Sequence, residues 1–372
     1  MSTLWITESA DWPVPYLMES CRDAGEQIRG VYWLSPEDGR RPLGRMIQIG
    51  RRAAGRDYPL RIKVISPRLL MELAQAPEDV VIVPELNLLA LYAIASKLFR
   101  RRKVVALIEG DYGYLGRTGT VSFKVVFRRL LAPLIDVFVA NSDAAKAYLI
   151  DTLKVPYNKI VVGWWLAGLP PNLRSQVPPR VDIMPNGAVR FLCAGQLIPR
   201  KGIDLLIEAV ARYREETGPC SLWIVGDGPE RASLAELARR LDVEDAITFL
   251  GTVSHEHFKG ALEACDVFVF PTLQDLVGRV AVEALTVGVP IVISPLSGAT
   301  GTIVQDGVNG IVADPRDSQG LADAMRRAAD PETLPHLRAG ARRTGEHLTP
   351  DMAAKVILQA TSLARGRALR RD

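Results

Sequence analysis

The chain has 372 residues, a length for which two domains of about 150–200 residues are expected. Apolar residues make up 48% and charged residues 24%, which is typical of a soluble globular protein with a sizeable core. A membrane-spanning helix is excluded because no apolar run reaches about 18 residues. The opening residues MSTLWITESADWP lack the basic start and apolar core of a signal peptide, so we expect a cytoplasmic protein.

Four cysteines are scattered along the chain, and no two of them are close enough in sequence to clip a metal or form a redox dithiol. They are Cys21, Cys193, Cys220 and Cys265. Most lie in apolar strand or helix contexts, which predicts reduced, buried thiols rather than disulfides.

The net charge of +4 is unevenly distributed. Residues 1–185 carry 25 basic and 18 acidic residues, whereas the remainder carries 21 basic and 24 acidic residues. Basic residues concentrate at 40–68, at 99–103 and in an amphipathic helix beginning at Phe123, where Arg128 and Arg129 lie beside an apolar face. These clusters favour an anionic acceptor or a membrane surface, with the protein peripheral on its inner face. The alternative is a core-facing helix with a solvated basic rim. No RNA-binding or helix-turn-helix pattern supports a nucleic-acid partner.

The first half alternates between apolar strands and helices. Strands are predicted at 3–7, 30–35, 61–66, 80–85, 103–111, 135–142 and 159–166. Helices are predicted at 16–28, within 40–61, and at 67–75, 87–99, 120–133 and 143–153. Buried strands that alternate with helices indicate a parallel sheet covered on both faces.

A proline-rich linker at 167–190 interrupts the alternation, which then restarts. Strands are predicted at 189–195, 221–228, 246–251, 266–271, 291–294 and 310–315. Helices are predicted at 202–216, 229–241, 255–264, 277–286, 298–305 and 317–328, and from about Pro350 onward. The pattern therefore predicts an α/β protein with two doubly wound units.

One stretch, PTLQDLVGRVAVEALTVGVP at 271–290, carries the features of an anion site. Asp275 stands ahead of its helix, Glu283 lies inside it, and Gly278 in the first turn leaves room for a ligand to approach the backbone amides. A helix N-terminus attracts phosphate, and an acid in the second turn suits ribose hydroxyls. The alternative is an amphipathic helix whose acids are merely solvated.

Three further loops follow predicted strands of the second half, at the edge where parallel sheets bind ligands. GQLIPRKG at 195–202 offers cations, VGDGPE at 225–230 offers glycines, and GTVSH at 251–255 follows a third strand. Together they suit a nucleoside diphosphate whose charge is balanced by Lys201 and the helix amides. Each loop alone is a common feature of α/β proteins.

With these motifs in order, the second half resembles the retaining glycosyltransferases of family four. The matching motifs are AGQLIPRKGIDLLIEA, LWIVGDGPE, ITFLGTVSHE, CDVFVFPTLQDLVGRVAVEAL, VGVPIVIS and VQDGVNGIVADP. The resemblance implies the GT-B architecture of two facing Rossmann-like doubly wound parallel-sheet domains with an interdomain cleft. The first half matches more loosely, through VFVANSDAAKAYL and KIVVGWWL. The tail resembles the final helix of the family, so the implied domains are 1–185 with 350–372, and 186–349.

The resemblance also implies roles for individual residues. Lys201 would hold the donor diphosphate, Glu283 the ribose, and the Val253 backbone the base. Asp275 would contact the transferred sugar and act with Lys201 in catalysis. The remaining implied donor-binding residues are Gly195, Gln196, Arg200, Gly226, Asp227, Gly228, Gly278, Arg279 and Val280.

The implied activity is that of a retaining glycosyltransferase of the hexosyltransferase type, which uses a UDP- or GDP-sugar and needs neither a cofactor nor a metal. HEH at 255–257 is accordingly interpreted as an exposed helix start. The acceptor would be a glycan, a lipid-linked molecule or a small molecule. The alternatives are a catalytically silent GT-B protein that binds a nucleotide sugar or stabilises a partner, and a nucleotide-sugar epimerase.

The chain departs from the pattern of the family at four places. Gln196 replaces the usual arginine, with Arg200 as its expected substitute, and Asp275 is one methylene shorter than the usual glutamate. A histidine expected after the fifth strand is absent, so Glu109 or Asp111 would take its role. DWPVPY stands where a glycine-rich loop is expected.

Overall fold

The computed structural model describes residues 2–9, 14–34, 44–46, 67–109, 123–169, 172–178, 188–275 and 277–366. The chain divides into two compact units, one formed by Met1–Ala167 with Pro350–Asp372 and the other by Gly168–Thr349. The sequence places this boundary later, between 185 and 186. The residues after Ala167 join the second unit because their backbones bond to it: Gly168 N–H donates to the Leu348 carbonyl, and Gln176 N–H donates to the Glu256 carbonyl.

The first unit is built on a seven-stranded parallel sheet of order β3-β2-β1-β4-β5-β6-β7. The strands are β1 Ser2–Ser9, β2 Gln27–Leu34, β3 Gly44–Met46, β4 Val80–Pro84, β5 Lys103–Ile108, β6 Val137–Ala140 and β7 Ile160–Val162. The α-helices described are Val14–Asp23, Pro67–Gln75, Leu88–Ser96, Phe123–Leu131, Asp143–Ala147 and Pro350–Ala364. A π-helix, Tyr148–Thr152, continues from Ala147.

The central strands of this sheet are apolar at nearly every position because helices cover both of their faces. All but the last residue of β4 (VVIVP) and all but the first of β5 (KVVALI) are buried. The helix Leu88–Ser96 begins where the Asn87 side chain accepts a hydrogen bond from Leu89 N–H. Apolar pattern and capping residue thus fix the strand and helix boundaries locally.

The second unit is a six-stranded parallel sheet of order β10-β9-β8-β11-β12-β13. The strands are β8 Val189–Ala194, β9 Cys220–Val225, β10 Ile247–Gly251, β11 Val267–Phe270, β12 Ile291–Ile293 and β13 Gly310–Val312. The α-helices are Ile203–Thr217, Arg231–Arg240, His255–Ala264, Arg279–Thr286, Ser318–Ala329 and Thr333–Gly345.

In this unit the chain winds outward from β8 in one direction and from β11 in the other. Ligands of open α/β sheets bind at the carboxyl ends of the strands, where the strand order reverses. That point lies between β8 and β11, which are hydrogen-bonded neighbours. The prediction of two doubly wound parallel-sheet units is confirmed, and the topology directs attention to the loops that follow these two strands.

Three predicted elements differ from the structure. The helix predicted at 16–28 ends at Asp23, since Gly25 adopts a φ of 90° and residues 27–34 enter β2. No helix forms at 298–305: the Thr300 hydroxyl donates to the Ser294 carbonyl, and Gly301 adopts a φ of 76°. The predicted strand at 61–66 lies outside the described residues.

A further helix, Thr333–Gly345, was not predicted because it contains a proline and glycines. Pro335 lies in its first turn, where a missing N–H costs no hydrogen bond. Gly340 is needed for packing, since a Cβ there would stand 1.9 Å from the Val308 carbonyl oxygen. Tertiary contact therefore overrides weak helix propensity in this segment.

All four cysteines are free and buried, as predicted. Burial raises the pKa of the Cys193 thiol to about 12, so this side chain packs as an apolar group. Within the described ranges, no helix combines the length and the apolar character needed to cross a bilayer.

Candidate functional site

A cavity of about 320 Å³ opens at the carboxyl edge of the second sheet, lined by the loops after β8, β9 and β10 and by one face of the helix Arg279–Thr286. Its volume falls in the range of small-molecule sites. Many of the predicted donor-binding residues line it together: Gly195, Gln196, Gly226, Asp227, Val253, Val280 and Glu283. The structure therefore brings four separate sequence motifs to one place, which we call the donor cavity.

Glu283 contributes an acid to this cavity from a helix that is otherwise apolar on its buried side. It is almost completely buried, as are the neighbouring Val282 and Ala284. A carboxylate is costly to bury unless it has polar partners. The alternative of a merely solvated acid is therefore wrong for Glu283.

A compact group of charges lies beside the donor cavity and joins the loop after β8 to the loop after β11. Lys201 Nζ stands 2.6 Å from Asp275 Oδ2, and Arg200 Nη1 lies 3.5 Å from the same oxygen. The methylenes of Lys201 pack beside Gly195, which lines the cavity. The Lys201 side chain therefore lies against the wall of the donor cavity.

The environment of Asp275 decides its ionisation. Burial alone would raise its pKa, but the charge and hydrogen bond of Lys201, with the amides of Gly278 and Val277, hold the pKa below its ordinary value. Lys201 also lies 5.2 Å from the centre of the Phe270 ring, in cation–π contact. Asp275 is therefore ionised at neutral pH, and the pair lies in a partly apolar environment.

Local backbone geometry places the two cations. Pro199–Lys201 forms a single 3₁₀ turn that ends at Gly202, whose φ of 63° is left-handed. A Cβ at Gly202 would stand 2.3 Å from the Pro271 carbonyl oxygen. The Arg200 carbonyl accepts hydrogen bonds from Leu273 N–H at 2.8 Å and from the Thr272 hydroxyl at 3.1 Å. These bonds lock together the two loops at the point where the strand order reverses.

Asp275 also fixes the turn that precedes the helix Arg279–Thr286. Its Oδ1 accepts hydrogen bonds from Gly278 N–H at 2.8 Å and Val277 N–H at 3.2 Å. A Cβ at Gly278 would lie 2.9 Å from the Ser297 hydroxyl oxygen, and the φ of Gly278 is 68°. The prediction that Gly278 leaves open space for a ligand is therefore wrong, since a neighbouring loop fills that space.

The glycines of VGDG similarly serve the packing of one loop on another. A Cβ at Gly226 would lie 1.9 Å from the Gly195 carbonyl oxygen, and one at Gly228 would lie 2.4 Å from the Leu197 carbonyl oxygen. Leu197 N–H donates to the Asp227 carbonyl at 3.0 Å. The close approach that these glycines permit is between the two loops that form the cavity wall.

Comparison with known proteins agrees with this arrangement. The sequence model of the family described as Glycosyl transferases group 1 matches residues 183–344, which include the cavity and the charged loops. This unit belongs to the group 1 glycosyltransferases.

One curated relative matches a larger share of the chain at lower identity. It is 28% identical over 279 residues to D-inositol 3-phosphate glycosyltransferase of Nocardioides sp., which covers 70% of this chain and 59% of that protein. The chain spans between 42% and 59% of the length of the first curated relatives that it matches.

Solved structures match almost the whole chain. Sucrose-phosphate synthase of Thermosynechococcus elongatus has a TM-score of 0.72 at 19% identity, and the match covers 98% of each chain. HepE of Anabaena, solved with UDP and glucose, has a TM-score of 0.70 at 19% identity, covering 97% of this chain and 99% of that one. These likenesses show the GT-B fold.

The group 1 unit also places residues in the donor cavity that the sequence reasoning did not single out. They are Ala194, Val225, Thr252, Ser254, His255 and Phe258. Ser254 caps the helix His255–Ala264 by accepting a hydrogen bond from His257 N–H. His255 and Phe258 are almost one turn apart on this helix and reach the same wall. His255 ends the loop GTVSH and Phe258 follows three residues later, which was the available signal.

In the first unit, the described candidate Glu109 lies at the carboxyl end of β5, and Asp111 is outside the described residues. Glu109 N–H donates to Glu85 Oε1 at 3.0 Å, and Glu85 adopts a left-handed φ of 60°. Arg128 Nη2 lies 3.5 Å from Glu85 Oε2, and its Nη1 lies 3.3 Å from the Tyr148 hydroxyl. Arg128 is thus part of an ion pair inside the unit, and the solvated-rim interpretation is wrong for this residue.

Proposed function

We propose that this chain transfers a sugar from a nucleotide-sugar donor to a hydroxyl acceptor with retention of the anomeric configuration, in glycan, polysaccharide or glycolipid biosynthesis. The observation that carries the proposal is the donor cavity itself, with the buried Glu283 on its wall and the Lys201 and Arg200 side chains continuous with it. A nucleoside diphosphate has ribose hydroxyl groups, which an acid such as Glu283 can bind, and phosphates, which cations such as Lys201 and Arg200 can bind. The neighbour HepE, which was solved with UDP and glucose, supports this choice.

The donor is proposed to lie with its nucleoside in the cavity and its diphosphate towards Lys201. Glu283 accepts hydrogen bonds from the ribose hydroxyls, while the Val253 backbone and the neighbouring Phe258 side chain contact the base. The donor is a UDP- or GDP-sugar in this proposal.

Asp275 is proposed to position Lys201 before the donor binds. Its Oδ2 pairs with Lys201 while its Oδ1 bonds the amides that precede the helix Arg279–Thr286. The Lys201 ammonium group is therefore held near the N-terminus of the helix Arg279–Thr286 and needs little reorganisation when a diphosphate binds. A contact between Asp275 and the transferred sugar, implied by the family resemblance, would use lone pairs of the carboxylate beyond these bonds.

The transfer step follows from this placement. Lys201, Arg200 and the first helical amides, at Arg279 and Val280, stabilise the negative charge that develops on the departing nucleoside diphosphate. The acceptor hydroxyl attacks the anomeric carbon from the face that the diphosphate leaves, and its proton passes to the leaving phosphate oxygen. We propose that these side chains supply the positive charge without a metal or cofactor.

The acceptor is proposed to be a glycan, a lipid-linked molecule or a small molecule that approaches Glu109 at the carboxyl edge of the first sheet. An anionic acceptor or membrane surface would suit the basic first half of the sequence, where residues 1–185 carry 25 basic and 18 acidic residues.

The proposal is tested by incubating the protein with a panel of nucleotide sugars and measuring nucleoside diphosphate release with and without acceptors. Acceptor-dependent release together with a product of unchanged anomeric configuration, assigned by NMR, is the expected result. Tight binding without release would identify a silent binding protein, and a changed sugar nucleotide without release would identify an epimerase. A thermal-shift screen with UDP, GDP, ADP and TDP selects the base, because a ligand at 100 times its Kd adds about 2.7 kcal/mol of stability.

A further inference from the structure

Large apolar side chains are exposed together on the first unit, far along the chain from the donor cavity. The exposed fraction is 86% for Leu98, 54% for Phe99, 70% for Leu130 and 48% for Leu134. Single exposed apolar residues are common, but a contiguous group marks a surface that binds a partner. We infer that these four residues, the Leu98–Leu134 patch, dock the protein on an anionic lipid surface.

The two segments of the patch are adjacent in space. Lys97 Nζ donates to the Leu134 carbonyl at 2.7 Å and to Asp136 Oδ2 at 2.6 Å. Lys103 Nζ reaches Asp136 Oδ1 at 3.2 Å. One segment leads into β5 and the other into β6, and these strands are hydrogen-bonded neighbours. The two segments that carry the four side chains therefore lie side by side at the amino end of the sheet.

The charges on the two segments that carry the patch are almost all positive. Arg100, Arg101 and Arg129 are exposed beside the apolar side chains. Asp136 is the acid within residues 97–103 and 125–136, and its carboxylate is already engaged by Lys97 and Lys103. Apolar side chains within a cationic rim are the composition of surfaces that lie in a membrane interface.

The charge of these segments favours a lipid surface over a second copy of the chain as the binding partner of the patch. A symmetric pair would bring Arg100, Arg101 and Arg129 towards their own copies, and such like charges repel across an interface. An anionic bilayer instead offers phosphates to the guanidinium groups and hydrocarbon to the leucines. The lipid surface is therefore the occupant that satisfies both features.

This surface differs from the one that the sequence pattern predicts. Arg128, which helical periodicity places beside the apolar face, is paired with Glu85, whereas Arg129 and Leu130 face solvent. Most of the basic stretch 40–68 lies outside the described residues. The inference goes beyond the proposed sugar transfer and does not depend on it.

Vesicle co-sedimentation tests the inference. The probes are vesicles of phosphatidylcholine alone and vesicles with about one third phosphatidylglycerol, at about 0.1 M and 1 M salt, where the Debye length is about 10 Å and 3 Å. We expect the protein to bind the anionic vesicles at low salt, with weak binding to the neutral ones and at high salt. Two triple variants should each lower the partition coefficient at least about tenfold: L98S/F99S/L130S and R100S/R101S/R129S.

A matched variant separates the patch from net charge. Arg239, Arg240 and Arg343 are exposed on the second unit, and their replacement by Ser removes the same three charges. Binding by this control should stay within about twofold of wild type, since it leaves the patch intact. Equal loss in the control, no loss in the L98S/F99S/L130S variant, or no vesicle binding at low salt would each overturn the inference. So would a wild-type dimer in light scattering that becomes monomeric in L98S/F99S/L130S, because the patch would then bind a second copy. An unchanged melting temperature and an unchanged circular dichroism spectrum show that the variants remain folded.

Discussion

Replacing either member of the Lys201–Asp275 pair should affect stability and nucleotide binding in different ways. Both variants, Lys201→Ala and Asp275→Asn, break an ion pair with a nitrogen–oxygen distance of 2.6 Å. The side chains are 13% and 16% exposed, so water screens the pair only in part. If Lys201 holds the diphosphate and Asp275 only positions Lys201, loss of the lysine removes a ligand contact, whereas loss of the carboxylate charge removes a competitor for that lysine.

The magnitudes follow from what remains in each variant. Removing one member of a fully buried pair costs about 3–5 kcal/mol. In Lys201→Ala, Asp275 keeps its two amide hydrogen bonds and Arg200 at 3.5 Å, so the free energy of unfolding should fall by about 2 kcal/mol. Asp275→Asn preserves an acceptor oxygen for the same two amides and leaves Lys201 beside Phe270, so about 1–2 kcal/mol should be lost.

The two variants should differ in their affinity for the nucleotide. Lys201→Ala should weaken UDP binding by about 1.5–3 kcal/mol, which is the range for hydrogen bonds to charged groups. Asp275→Asn should weaken UDP binding by clearly less than Lys201→Ala, since the loss of Lys201 positioning is partly offset by the removal of a negative charge beside the diphosphate. Isothermal titration calorimetry measures the affinity, and urea unfolding followed by circular dichroism measures the stability.

A matched control comes from the same unit. Asp245 pairs with Arg214 at the surface, so Asp245→Asn should leave the UDP affinity unchanged. Wild-type affinity in Lys201→Ala would refute the placement of the diphosphate. A loss in Asp275→Asn as large as that in Lys201→Ala would refute the positioning role, because Asp275 would then act on the nucleotide itself.

Three further outcomes are expected. Glu283→Ala should weaken UDP binding by about 1.5–3 kcal/mol in calorimetry, with a smaller loss against a nucleotide that lacks the ribose hydroxyls; equal losses would remove the ribose from its role. The pKa of Asp275 is lowered on folding, so its charge contributes stability above its ordinary pKa of 3.8, and this contribution is lost as the pH falls through the lower folded value. The urea midpoints of wild type and Asp275→Asn should accordingly differ by a constant amount between about pH 5 and 8 and begin to converge as the pH falls below about 4. A difference that does not change with pH would contradict the assigned shift. Arg365→Ala should lower the stability of the first unit by about 3 kcal/mol in urea unfolding, because Arg365 Nη2 lies 2.8 Å from the buried Glu26, whereas the exposed Arg343→Ala should have little effect.

The alternation of apolar strands and helices was sufficient to predict both sheets, because each central strand is buried on both faces and carries its own pattern. Segments shaped by distant contacts were not predictable in this way. The helix Thr333–Gly345 needs Gly340 against Val308, and residues 298–305 turn because Gly298 N–H donates to the Asp275 carbonyl. Neither contact is visible in a local window.

The candidate site was likewise predictable only where local sequence motifs determine it. Glycine, cation and acid motifs after β8, β9 and β11 were recognisable, and seven of the predicted residues line the donor cavity. The purpose of the glycines was not recognisable, since Gly226 and Gly278 accommodate neighbouring loops rather than a ligand. Helical periodicity likewise placed Arg128 on a solvated rim, because the sequence does not show that Glu85 faces it.

The departure from glutamate to aspartate at position 275 has a structural consequence that links the fold to the proposed chemistry. One carboxylate oxygen bonds the amides two and three residues ahead, an arrangement typical of the short side chains of Asp and Asn. The other oxygen then lies where Lys201 meets it at 2.6 Å. A glutamate carries its carboxylate one methylene farther and cannot make the same short turn, so the longer side chain would reach farther towards a ligand and lose these two amide bonds. In this chain, therefore, the shorter acid ties the helix start, the loop after β11 and the cation after β8 into one rigid unit, and the groups proposed to meet the diphosphate are already assembled before it binds.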